Sequence, residues 1–184
     1  MTAFISGGHN PKGNKPDPGA VSDSFKEAQI VWDFKELVIG KYKKKYPKEK
    51  VITDTDSERL SDYLKRIETG NGSVTLEFHC DSAAKQEATG TTAIIANNYT
   101  QNSFNFAKEL VDSTSDILKI KNRGVITESQ SHRGSLGLMR EHGTVALLEL
   151  FFISNKNDRK SFFDNKEKLA DAYVDIIYKY EKLI

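Results

Sequence analysis

The chain has 184 residues, enough for one domain with a substantial core and too few for a second domain of ordinary size. Its 27 basic and 26 acidic residues leave a formal charge of +1, which excludes a global electrostatic preference for nucleic acid or an anionic membrane. The single cysteine, Cys80, has no partner for an internal disulfide, so the fold does not depend on an oxidising compartment, and no apolar run approaches membrane-spanning length, so bilayer insertion is not expected.

The first signal along the chain is a short apolar run over residues 3–6, which predicts a buried strand. The opening MTAFISGGH lacks the basic leader and apolar core of a secretory signal, so synthesis in the cytoplasm is expected. A loop over residues 7–24 follows, rich in Gly, Pro, Asn and Asp. Loops of that length inside compact domains tend to carry function.

Residues 25–46 have a helical pattern, with Val31, Phe34 and Val38 on one face and Pro47 ending the run. Glu27 precedes Val31 by one turn, which puts its carboxylate on the buried face. A strand is predicted around Val51 and Ile52, then a helix over residues 57–68 with Leu60, Leu64 and Ile67 inward and Gly70 as its stop. Residues 73–79 alternate: Val74, Leu76 and Phe78 face one way, Thr75, Glu77 and His79 the other, as in a strand. Another strand is predicted over residues 91–96 and a helix over 103–118, followed by a polar stretch, 119–134, with no element assigned. Residues 145–153 are apolar throughout except for Glu149, the pattern of a strand buried on both faces. The closing helix carries Leu169, Ala172, Tyr173, Ile176, Ile177 and Tyr180 at core spacing. Strands alternating with helices imply an α/β layer fold, with a central sheet covered on both sides.

Glu149 is the most informative residue, because a carboxylate inside VALLELFFI is costly to bury without compensation. The plain alternative is a buried ion pair with an Arg or Lys; the functional one is a general base or a metal ligand. His79 ends its strand where the chain leaves the sheet, and His9 follows the first strand behind Gly7 and Gly8, which are expected to let the backbone turn sharply. Either histidine alone is more often packed or solvated than a ligand. With Glu27 they make two imidazoles and a carboxylate from three elements, the protein part of a common catalytic zinc shell that keeps a fourth position open. Other candidates are weaker. GHNPKGNK lacks the Lys followed by Ser or Thr of a phosphate loop. Cys80, with His132 or His142 as base, reads more simply as a small core residue, and both histidines are expected to face solvent. The basic run over residues 41–50 reads as a solvated helix end.

These residues resemble the zinc-dependent N-acetylmuramoyl-L-alanine amidases of bacterial autolysins and phage endolysins over nearly the whole chain. Three motifs carry the resemblance: Gly8 and His9 followed by Asp17, Pro18, Gly19, Ala20 and then Glu27; Phe78, His79, Cys80, Asp81 and Ser82; and Glu149, Phe152, Ile153, Ser154, Asn155 and Asp158. The resemblance implies a twisted, mostly parallel sheet with helices on both faces and one amidase catalytic domain spanning residues 1–184, a length in which no separate wall-binding domain is expected to fit. It implies zinc held by His9, Glu27 and His79, with Glu149 catalytic. It further implies peptidoglycan as the substrate, cleaved between N-acetylmuramic acid and L-alanine, and action on the cell wall, as after release at phage lysis. Two rival readings share the same shell: a zinc peptidase acting on stem peptides, and a wall-binding module without turnover. Three features depart from the family pattern. The loop between His9 and Asp17 is longer, Phe151 stands where Gly is usual and is expected to reshape the floor of the site, and Thr144 and Val145 replace a strand-opening proline.

Overall fold

The computed structural model describes residues 2–131 and 133–183. Its centre is a six-stranded sheet. In chain order the strands are β1 (Thr2–Gly7), β4 (Lys50–Thr53), β5 (Val74–Asp81), β6 (Thr91–Ile95), β7 (Asn122–Thr127) and β8 (Thr144–Phe152), while β2 (Val21–Ser22) and β3 (Phe25–Lys26) form a separate small hairpin. The spatial order is β4-β1-β5-β8-β6-β7; every neighbouring pair is parallel except β6 with β8. The predicted α/β class with a mostly parallel sheet is therefore the observed one.

Alternation along the strands sends their two sets of side chains to different surroundings. Ala3 and Ile5 of β1, Val74, Leu76, Phe78 and Cys80 of β5, and Ala146, Leu148 and Leu150 of β8 pack into one large core. Three long helices cover it: α1 (Glu27–Lys45), α3 (Gln101–Leu118) and α4 (Lys156–Glu181). Among the described residues the opposite face has only the short α2 (Leu60–Arg66) and a 3₁₀ turn, Gly137–Arg140. There Phe4 packs with Tyr63 and Ile67, and Ile94, Val145 and Leu147 pack with Leu138 and Met139. In α2 it is Tyr63 that is fully buried, whereas Leu60, expected inward, is exposed. The helix begins at Leu60 itself, three residues later than predicted, and this sets its first turn at the rim of a cleft.

β7 lies inside the polar stretch that received no element. It is an edge strand whose residues are half-buried or exposed, so an apolar alternation has no reason to appear in its sequence. At the start of β8 the Thr144 N–H donates to the Ser73 carbonyl at 2.9 Å, a bond a proline at that position would lack. Farther along, His79 pairs with Glu149 but Asp81 with Phe152, so β8 carries one extra residue there. The bulge turns both Leu150 and Phe151 to the helix side, where Phe151 is fully buried and stacks on Phe162 at 4.7 Å between centroids. Phe151 thus packs beneath α4 and does not shape the site floor, contrary to the sequence expectation. No helix of the described residues is long and apolar enough to cross a membrane.

Candidate active site

Parallel strands that run side by side end side by side, and β1, β5 and β8 deliver His9, His79 and Glu149 to one end of the sheet. His9 lies two residues past β1, in the left-handed region at φ 67°. Gly8 serves a different need from the sharp turn expected of it: a Cβ there would collide with the His79 ring. Behind the strand end, buried Lys35 and Asp54 pair at 2.7 Å, and Asp54 also accepts the Gly7 N–H at 3.4 Å, which ties β1 to the end of β4.

The long loop after His9 is pinched at its base. Asn10 and Asp17 exchange backbone hydrogen bonds of 3.2 and 2.9 Å, and the Asn10 amide donates inward to the Lys12 and Lys15 carbonyls. The extra residues form an excursion that leaves His9 beside Asp17, whose carboxylate lies 2.7 Å from His9 Nδ1. Gly19, at φ 63°, then lets the chain pass over the site; a Cβ there would strike His9 and the Glu27 carboxylate.

Glu27 opens α1 and is 2% exposed, on the buried face as its spacing predicted. Its carboxylate accepts the Ala20 and Cys80 N–H groups at 2.8 and 3.0 Å. It also faces both imidazoles, at 3.2 Å from His9 Nε2 and 2.9 Å from His79 Nδ1. One donor atom from each of His9, Glu27 and His79 lies within 4.8 Å of the others. Tetrahedral ligands at about 2.1 Å from zinc are about 3.4 Å apart. The donor set and its spacing therefore fit a small divalent metal, and the far nitrogens of the two imidazoles are engaged by carboxylates, Asp17 for His9 and Glu77 for His79 at 3.0 Å.

Without a metal this cluster is held by charge. Burial works against protonation of His79, but its bonds to Glu27 and Glu77 outweigh that and push its pKa up to about 10. His9 is raised for the same kind of reason, its bonds to Glu27 and Asp17 overcoming burial. Glu27, despite its burial, is held far below the usual carboxylate range by the two histidines.

Glu149 sits on the thinly covered face, opposite His79 in the β5–β8 register, and is 3% exposed. Burial pushes its pKa up to about 7, against the pull of His79 and Arg133. Arg133 contacts Oε1 at 2.5 Å, so the ion pair weighed as the plain alternative is present. Only one oxygen is taken up by it: Oε2 is buried and has no partner among the described residues. Arg133 is the functional-site residue that sequence reasoning missed. It lies in the polar stretch after β7, where nothing in spacing distinguishes one arginine from another, and lines the cleft with His9, His79 and Glu77.

Cys80 is buried in the large core, with its thiol pushed well up by burial, which agrees with its reading as a core residue rather than a nucleophile. His142 is exposed, as expected, and His132 lies outside the described residues. Much of the third motif is architectural. Ser154 accepts the Ala83 N–H, Asn155 caps α4, and buried Asp158 accepts from Thr89, Gly90 and Phe152 at 2.6, 3.0 and 3.2 Å. These residues lock the segment after β5 to the end of β8.

The class so defined is an α/β layer protein with a candidate metal-holding cluster gathered at the carboxyl ends of parallel strands. The family model for N-acetylmuramoyl-L-alanine amidases matches residues 4–179, and the chain belongs to that family. Solved structures share the fold. The catalytic domain of CwlV, an N-acetylmuramoyl-L-alanine amidase from Bacillus (Paenibacillus) polymyxa var. colistinus, is similar at TM-score 0.78 and 21% identity, covering 100% of this chain and 99% of that one. A Neisseria meningitidis protein described as such an amidase gives 0.77 at 27% identity, covering 97% and 94% of the two chains. The catalytic domain of the CD27L endolysin targeting Clostridia difficile gives 0.72 at 17% identity, covering 97% of each. A search of curated proteins gives no match.

Proposed function

We propose that this amidase holds one zinc ion with His9, Glu27 and His79 and uses Glu149 to move protons while hydrolysing the amide between N-acetylmuramic acid and L-alanine in peptidoglycan. The observation that carries the reading is the convergence of the three donors beside a buried carboxylate with one unsatisfied oxygen. Zinc held there would supply Lewis acidity toward the amide carbonyl and a water molecule with a pKa of about 7. The chain's own groups do the rest. Glu149, poised near neutrality by burial, accepts the proton of the attacking water and returns it to the leaving nitrogen. Arg133 holds Oε1, which leaves Oε2 to handle the proton. Asp17 and Glu77 hold the imidazoles in place. The chain's place of action in this reading is the cell wall.

Mass spectrometry of purified peptidoglycan digested by the zinc-loaded protein, with a chelated control, tests the proposal. Free stem peptides with a new L-alanine amino terminus, absent after chelation, are expected. Shortened stem peptides still attached to sugar would mean a peptidase instead, and equal digestion after chelation would remove the metal from the account.

A further inference from the structure

Glu77 has no part in the motifs that define the site, yet it is among the most deeply buried carboxylates of the chain, at 1% exposed. It lies on β5 two residues before His79, on the same face, and its oxygens meet two partners: Ser6 Oγ donates to Oε2 at 3.2 Å, and His79 Nε2 lies 3.0 Å from Oε1. No lysine or arginine pairs with it among the described residues. A buried carboxylate is costly unless strongly bonded, and a single hydroxyl is a weak partner, so the imidazole N–H is what compensates its burial.

Resting on the metal reading above, we infer that Glu77 is the positioning residue for His79: by accepting the Nε2–H it fixes the tautomer whose Nδ1 lone pair points at Glu27 and the metal position. The two imidazoles are then set in opposite senses, His9 presenting Nε2 because Asp17 engages Nδ1, and His79 presenting Nδ1 because Glu77 engages Nε2. The two carboxylates differ in environment. Asp17 is 56% exposed, so its bond is screened by water, whereas the Glu77 bond is sealed from it. Glu77 therefore contributes more to ligand orientation than Asp17. Ser6, on the adjacent strand, donates to the second oxygen and restrains the carboxylate.

The test is zinc affinity of the intact chain by competition with a chromophoric chelator, for wild type, Glu77→Gln, Glu77→Ala, Asp17→Ala and His79→Ala, together with ring ¹⁵N NMR of His79 in the zinc-loaded forms. Glu77→Ala is expected to weaken zinc about 10- to 100-fold, the usual cost of losing such a partner, with Glu77→Gln in between because its carbonyl still accepts the Nε2–H. Asp17→Ala is expected to cost less than Glu77→Ala. Wild-type His79 should show a protonated Nε2 and a metal-bound Nδ1. The thermal midpoint of the chelated proteins separates this from a general loss of fold; should Glu77→Ala not fold, the near-isosteric Glu77→Gln carries the test, with severalfold weaker binding expected. Wild-type affinity in a folded Glu77→Ala, or in Glu77→Gln where only that variant folds, would overturn the inference. So would a His79 bound through Nε2. Failure of the metal reading looks different: wild type would take up no zinc, or His79→Ala would bind it as well as wild type.

Discussion

The two faces of the central sheet are built from the same strands and have opposite chemistry. Toward α1, α3 and α4, β5 and β8 present Val74, Leu76, Phe78, Ala146 and Leu148, all in one apolar core. Toward the other side they present Val145 and Leu147 in a smaller apolar cluster, and also Thr75, Glu77, His79 and Glu149, of which the last three are ionisable and nearly inaccessible to water. A close-packed apolar face holds the strands in register, and that rigidity lets the opposite face keep buried charges a few ångström apart. The larger apolar core lies on one face and the cluster of ionisable groups on the other.

The sharpest break of this comparison is on the chemical face. Glu149→Gln is expected to lower kcat by about 10²- to 10⁴-fold while zinc content and thermal midpoint stay near wild type, checked by kinetics, metal analysis and calorimetry on one preparation. A wild-type rate would remove Glu149 from the mechanism. The matching change on the packed face, Phe78→Ala, removes a fully buried ring that meets Phe34 and Tyr173. Denaturant unfolding should show a loss of about 3–5 kcal/mol. The kcat of the fraction that remains folded should be little changed.

Charge on the chemical face gives a smaller, directly countable effect. With a pKa of about 10 in the metal-free protein, His79 is protonated at pH 8, so zinc must displace that proton, whereas an ordinary histidine has already lost it. Calorimetry in buffers of different ionisation enthalpy should count at least one proton released on zinc binding at pH 8, the one that His79 gives up. The same shift has a stability consequence in the metal-free protein. Because the folded pKa lies above the ordinary 6.5, the stabilisation is complete below that value and is lost as pH rises through about 10. Chelated protein should therefore lose thermal midpoint across this window, and a flat profile would argue against the His79 cluster.

The smallest effect concerns Arg133. Activity should rise with pH through the Glu149 pKa of about 7, since the base works as carboxylate. Arg133 favours that carboxylate, so Arg133→Ala should move the acidic limb of the kcat/KM profile to higher pH, by less than burial moved it. A limb that stays in place would mean the ion pair seen here does not persist in the working enzyme.

Much of this was legible along the chain. Periodicity placed α1 and put Glu27 on its buried face, and the alternation of residues 73–79 put Glu77 and His79 together, because strand and helix geometry fix side-chain direction over a few residues. Other features were not. β7 gave no signal because an edge strand needs no apolar face, and Leu60 was assigned inward because its spacing with Leu64 and Ile67 ignored where the helix starts. Phe151 was misplaced because a one-residue bulge reverses the facing of everything beyond it, and such a bulge exists only in the pairing of two strands.

The sequence by itself determined the α/β class, the core alternation and the four residues proposed for metal and proton chemistry, since these depend on local spacing and on motif order. The tertiary structure alone decided what stands behind them. The pairing of Arg133 with Glu149, the pinch between Asn10 and Asp17, and the contact of Ser6 with Glu77 each join segments whose approach is set by strand order and loop closure. No local propensity encodes such contacts, because their energies arise only when distant parts of the chain have been packed against one another.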